Sequence, residues 1–237
     1  MAKETETKPE LDITRLQRTV LTRFGLAIII LGLMIFLPAG TLSYWEGWVM
    51  MAIFFIPMAF VGMYLLRNEP DLLDRRMRYK EKEKEQKTIV TLGGILFLLV
   101  FLLPGFDKRY NWSEVPRIVV VAADILMLLA YSLFFWVMKV NQYASRIIEV
   151  EQDQRVVTTG PYAYVRHPMY FAGSILYLCL PIALGSYWAF LPACLLTFLL
   201  VFRIKNEERI LIEQLKGYSE YVKSVKHRLI PGLWVPI

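Results

Sequence analysis

Four stretches of this chain, at residues 24–42, 48–66, 89–106 and 118–138, are each long and apolar enough to cross a bilayer. A helix needs about 20 mostly apolar residues to traverse a hydrocarbon layer roughly 30 Å thick, and there only helices and closed barrels satisfy their own backbone. A fifth apolar run, 170–202, is interrupted at Gly185 and Ser186, which divides it into two short segments that read as a tight helical hairpin. The fold class expected is all-α: a polytopic membrane helix bundle of about six spans, with a C-terminal helical hairpin and an amphipathic cytosolic helix.

The basic residues provide a separate check, because cytoplasmic loops of membrane proteins collect Lys and Arg. With six spans, 24 of the 27 Lys and Arg residues fall on one side, in the N-terminal tail and in 67–87, 139–166 and 203–228. Only Lys108, Arg109 and Arg117 fall on the other side. The chain is therefore expected to be an integral, multi-pass membrane protein with cytosolic N- and C-termini. A basic excess arranged as a topology signal, facing anionic lipid, accounts for a pI near 9.2 without a nucleic-acid partner. Cys179 and Cys194 both lie in apolar segments and have neither disulfide nor metal-site spacing. No metal site is expected. The polar tail ahead of residue 24 argues for a retained first span rather than a cleaved signal.

Three parts follow: a cytosolic tail at 1–23, a four-span scaffold at 24–138, and a C-terminal part at 139–237. The loop 67–87 mixes both charge signs densely and reads as solvated, with helical stretches. Leu211, Leu215, Tyr218, Val222 and Val225 recur at spacings of four and three. They form one apolar stripe on a helix expected to lie against the bilayer surface or the base of the bundle.

Chemistry concentrates in the C-terminal part. Gly160-Pro161 signals a turn, and Tyr162, Tyr164, Arg166, His167 and Tyr170 cluster around Pro168, which suits the first turn of a helix. Arg203 and Glu207 share a helix face, with Glu208 beside them. The two ends of a hairpin must be neighbours, so His167 and Tyr170 approach Arg203 and Glu207. An imidazole, phenols, an arginine and carboxylates at the edge of an apolar slab suit a polar cofactor held beside a lipid-like substrate. Singly, each has an ordinary structural role: an interfacial ion pair, a capping histidine, belt tyrosines. Asp124, alone in the fourth span, is either a functional acid or an interhelical hydrogen-bonding group.

Residues 156–170 read VVTTGPYAYVRHPMY, 203–210 read RIKNEERI and 217–231 read GYSEYVKSVKHRLIP. In these motifs the last third of the chain resembles the isoprenylcysteine carboxyl methyltransferase family and its prokaryotic relatives, and PDLLDRRM at 70–77 has the flavour of the prokaryotic members. The resemblance implies S-adenosylmethionine binding from the cytosol by Gln154, Arg155, Val156, Val157, Tyr162, His167, Pro168, Met169, Tyr170 and Glu207. It makes Arg203 the catalytic residue that faces the substrate, a lipid-like acceptor drawn from the membrane lipids. Glu149 is the candidate for a polar residue that precedes the motif in the eukaryotic enzymes.

The acceptor expected is a prenylcysteine-type carboxylate, with a phospholipid amine or a hydrophobic thiol as alternatives. A carboxylate is already ionised at neutral pH, whereas an amine needs a base, for which His167 and Glu208 are candidates. Sterol and steroid reductases, which bind NADPH, also resemble the C-terminal region in Arg-His, tyrosines and a closing Ile-Pro. The Glu207-Glu208 pair with His-Pro-Met-Tyr favours the methyl donor. A non-catalytic transporter or assembly factor predicts buried charge or broken helices near the midplane, of which Asp124 and the proline and glycine sites are the few signs.

Overall fold

The computed structural model describes residues 12–77, 84–143, 150 and 154–230. Residues 1–11 with Lys3 and Lys8, the loop 78–83, the pair Ile147 and Ile148, Glu149 and Pro231 lie outside the described residues. The elements are α1 (Ile13–Ala39), α2 (Trp45–Asn68), α3 (Pro70–Met77), α4 (Lys84–Tyr110), α5 (Arg117–Val140), a 3-10 turn (Gly160–Ala163), α6 (Pro168–Ala183), α7 (Phe190–Gln214) and α8 (Tyr218–Ser224).

Helices α1, α2 and α5 and the Thr91–Tyr110 part of α4 are long and apolar enough to cross a membrane. Their cores interlock around Ile35, Tyr44, Met50, Phe101 and Met127, all fully enclosed. Large apolar side chains also point outward: Ile29 is 59% exposed, Leu129 61% and Leu191 69%. Water tolerates such a surface poorly and lipid tails accept it, so the chain is a polytopic helical membrane bundle.

The helices run beyond the apolar stretches that announce them. The first span continues a helix that starts at Ile13, where Asp12 Oδ1 accepts the Arg15 N–H at 2.9 Å. The expected tail is therefore helical from Ile13 onward, since no breaker separates this cap from Phe24. Close approach of α4 to α1 depends on Gly105, where a Cβ would lie 2.8 Å from the Ile35 carbonyl oxygen.

The hairpin is present. Helix α6 has only 16 residues, and α7 returns beside it after a turn at Gly185, whose φ of 70° suits glycine. A buried polar clasp fixes this turn. Asp107, at the end of α4, accepts from the Ser113 N–H and hydroxyl, both at 2.7 Å, and from the Ser186 hydroxyl at 2.5 Å. Tyr44 donates to the Leu184 carbonyl oxygen, and Lys108 Nζ lies 3.6 Å from Glu46. The scaffold thus holds the hairpin at the end opposite the basic loops.

Two expectations need correction. Part of the solvated loop is α3, whose Leu72 and Leu73 are buried with Leu16, Leu65 and Met138 at the basic end of the bundle. The paired leucines in PDLLDRRM outweigh their charged neighbours because α1, α2 and α5 offer them a dry face. The apolar stripe 211–225, expected as one helix on the bilayer surface or the base of the bundle, is not one helix. It breaks at Gly217, in the left-handed region at φ 88°, into the end of α7 and the short α8. Its residues Leu215, Tyr218 and Tyr221 pack inward on Val150, Val156 and Tyr162.

Candidate functional site

At the basic end, the chain between α5 and α6 and the chain after α7 enclose a cavity of about 850 Å³, counting its open mouth. The 3-10 turn is its pivot. Gly160, at φ 59°, starts the turn where a Cβ would press on Val140, 3.1 Å away. Tyr162 then points back to α5, where its hydroxyl accepts from Asn141 Nδ2 at 2.8 Å, and its carbonyl oxygen accepts from the Tyr221 hydroxyl at 2.7 Å. His167 is the N-cap residue of α6 and Pro168 occupies the first turn, where the missing N–H costs nothing.

Ten of the eleven residues that the resemblance assigns to the site line this one cavity: Gln154, Arg155, Val156, Val157, Tyr162, His167, Met169, Tyr170, Arg203 and Glu207. Pro168 does not line it; it is buried in the first turn of α6, where it sets the direction of its neighbours. Asp124 lies far along α5 from Asn141 and does not line the cavity. Its Oδ1 is buried and has no hydrogen-bond partner among the described residues, so the interhelical bond considered for it is not formed there.

Sequence reasoning missed Asn141, Tyr143, Leu211, Leu215, Tyr218 and Tyr221 as lining residues, and it named Arg166 in the cluster around Pro168 without giving it a role in the site. Four of these belong to the stretch after Glu207. The stripe of Leu211, Leu215 and Tyr218 was visible, but its partner was not, because an apolar stripe does not say whether lipid or protein covers it.

Arg203 and Glu207 are joined through a phenol. The Tyr170 hydroxyl donates to Glu207 Oε2 at 2.5 Å and accepts from Arg203 Nε at 3.0 Å. This fixes the inward faces of α6 and α7 against each other within the cavity wall.

Glu208 has a different task. One helix position on from Glu207, it turns away from the cavity and gathers two guanidinium groups and an imidazole. Oε1 accepts from Arg166 Nε at 2.6 Å and lies 3.2 Å from His167 Nε2, while Oε2 accepts from Arg228 Nε at 2.7 Å. Burial alone would raise this carboxyl, but the bonds from His167, Arg166 and Arg228 outweigh it and hold the pKa at about 2. The same corner is sewn by backbone bonds of 2.9 Å from the Arg166 and His167 N–H groups to the carbonyl oxygens of His227 and Arg228. Tyr162, enclosed by the roof, has its phenol pushed up to about 12 by burial, against the relief given by Asn141.

From the scaffold side, α3 brings Arg76 to the wall, with Nη1 3.7 Å from Met169 Sδ and the guanidinium 5.2 Å from the centre of the Phe134 ring. The cavity therefore joins aromatic faces, the Glu207 carboxyl group and guanidinium groups under an apolar roof. Such a mixture can hold a polar, charged small molecule away from bulk water while one side stays close to lipid.

No curated protein matches the chain. Residues 118–217 match the model of the family described as phospholipid methyltransferase, a match that supports a membrane methyltransferase and takes in every cavity residue except Tyr218 and Tyr221.

Proposed function

We propose that this protein is an S-adenosylmethionine-dependent methyltransferase of the membrane that esterifies a lipid-like acceptor of the prenylcysteine carboxylate type. The observation that supports this most is the convergence of Gln154, Arg155, Val156, Val157, Tyr162, His167, Met169, Tyr170, Arg203 and Glu207 on one cavity at the edge of the apolar slab. The basic end faces the cytosol in this reading, as the distribution of Lys and Arg favours.

The residues fit such a cofactor. Arg166 Nη2 and the Tyr218 hydroxyl belong to lining residues, are buried, and have no hydrogen-bond partner among the described residues. Buried polar atoms in this state are completed by ordered water or by a ligand with complementary groups. When bound, the cofactor supplies a methyl group on a sulfonium sulfur. Tyr162 and Tyr170 offer aromatic faces to cation or adenine, and Glu207 can accept from an ammonium or a ribose hydroxyl. Arg203, steadied by the Tyr170 hydroxyl, can orient a carboxylate. The roof of Leu215, Tyr218 and Tyr221 excludes water from reactants that must be aligned in line.

Glu208 supports a carboxylate acceptor over an amine. With a pKa of about 2, held there by His167, Arg166 and Arg228, it is a poor proton acceptor, and it ties up His167 Nε2 as well. A carboxylate needs no proton removed. The family match favours the second reading, methylation of a phospholipid amine. Incubating the purified protein in lipid nanodiscs with a membrane extract and a methyl-labelled donor separates them. Label released as methanol by mild alkali is the expected result; alkali-stable label moves the acceptor to an amine or thiol, and no label in any fraction overturns the proposal.

A further inference from the structure

One corner of the cavity has more hydrogen-bonding capacity than the protein uses. Arg166 is fully enclosed, with Nε on Glu208 at 2.6 Å and Nη1 on the Val225 carbonyl oxygen at 2.6 Å. These bonds fix the guanidinium plane, yet Nη2 is buried with no partner among the described residues. Tyr218, on the first turn of α8, is 4% exposed, and its hydroxyl is unpartnered in the same way. Both residues line the cavity. The two groups share a neighbourhood: Val225, whose carbonyl oxygen accepts from Arg166, donates its N–H to the Tyr221 carbonyl oxygen at 2.8 Å, and the Tyr221 ring centre lies 5.6 Å from that of Tyr218.

The chemistry of these atoms limits what can complete them. An arginine Nη only donates, and a phenol hydroxyl donates readily, so together they call for an acceptor that carries charge or concentrated electron density. Glu207, on the facing helix, only accepts. A group that offers an anion to Arg166 and Tyr218 and a cation to Glu207 is the zwitterionic end of an α-amino acid. The acceptor's carboxylate is the poorer fit, because this corner lies at the roof, beside α8 and residues 225–228, whereas Arg203 and Tyr170 lie at the foot of α6 and α7 where a lipid would enter.

We infer that Arg166 Nη2 and the Tyr218 hydroxyl bind the α-carboxylate of the methyl donor's amino-acid end, with Glu207 facing its ammonium. This rests on the methyltransferase reading above and adds two residues to the site. Glu208 becomes the group that positions Arg166, and α8 becomes part of the binding site rather than only its cover.

The test is calorimetric, on the full chain in detergent, with S-adenosylhomocysteine, its carboxamide and 5′-methylthioadenosine, which lacks the amino-acid end. Wild-type protein is expected to bind the carboxamide at least about tenfold more weakly than the free carboxylate, as for loss of a charge-assisted bond. Tyr218→Phe is expected to lose about tenfold in affinity for S-adenosylhomocysteine and nothing for 5′-methylthioadenosine. Without ligand its thermal midpoint should stay level or rise, since the hydroxyl removed has no partner to lose among the described residues. Equal binding of carboxylate and carboxamide overturns the inference, as does an equal loss of both nucleosides in Tyr218→Phe. Wild-type protein that binds neither nucleoside overturns the methyl-donor reading and this assignment with it.

Discussion

Arg166 Nε donates to Glu208 Oε1 at 2.6 Å, joining the residue before α6 to the end of α7 in a place closed to water. The pair is a lock on the cavity: Arg166 faces the site and also carries Val225, and Glu208 carries Arg228. Breaking it should loosen the segment 225–228 and the roof together.

Glu208→Ala leaves Arg166 buried without its counter-charge and should cost about 3–5 kcal/mol. The pH dependence follows from sign. The Glu208 carboxyl titrates at about 2 in the folded protein against an ordinary 4.5, so its contribution is complete above 4.5 and is lost as pH falls toward 2. Thermal scans across that window should show the wild-type midpoint dropping, and Glu208→Gln, lower at neutral pH, dropping less.

Turnover and cofactor affinity should separate at the Tyr170 link. Arg203→Ala is expected to abolish methyl transfer while leaving the dissociation constant for the cofactor within a few-fold. Tyr170→Phe keeps the aromatic face and removes the hydroxyl that joins Arg203 to Glu207, so turnover should fall at least about tenfold through misplacement of Arg203. Equal losses of binding and rate in both variants would place Arg203 in the cofactor site.

The opposite end of the bundle should affect stability and not chemistry. Asp107 is 1% exposed and accepts three hydrogen bonds, two from Ser113 and one from Ser186. Asp107→Ala strips the partner from these buried donors and should cost roughly 2–4 kcal/mol, read as a lower thermal midpoint. Cofactor affinity measured well below that midpoint should not change.

Gly217 sits at φ 88°, which an alanine adopts only at a cost of about 1–2 kcal/mol. No side chain blocks the site closely, since the nearest atom to an added Cβ is 3.9 Å away on Val156. Gly217→Ala should therefore act through backbone strain, lowering cofactor affinity by displacing Tyr218 and Tyr221, with a smaller effect on the melting of the membrane helices.

What the sequence revealed and what it hid divide along physical lines. The bundle was legible because a bilayer demands length and apolarity, and 24–42 or 118–138 can do little else. Helix ends were less so: hydropathy detects the hydrocarbon layer, whereas Asp12 and Gly40 mark where the helix of the first span starts and stops. The site was legible in its hairpin half, since Arg203 and Glu207 share a face by helical spacing and the hairpin brings Tyr170 to them. The roof was hidden. Gly217 lay inside a stripe read as one helix, and nothing local says that Tyr218 and Tyr221 fold over Tyr162 instead of lying on lipid. Leu72 and Leu73 were masked by the charges around them, and the meeting of Asp107 with Ser186 is a long-range contact with no local signal.

The central claim is that the cavity is made for a sulfonium methyl donor, and calorimetry on detergent-purified protein with S-adenosylmethionine and with NADPH tests it most directly. The account predicts binding of S-adenosylmethionine, weakened at least about tenfold by Tyr162→Ala and by Glu207→Ala, with no response to NADPH. Tight NADPH binding with no response to S-adenosylmethionine would contradict it.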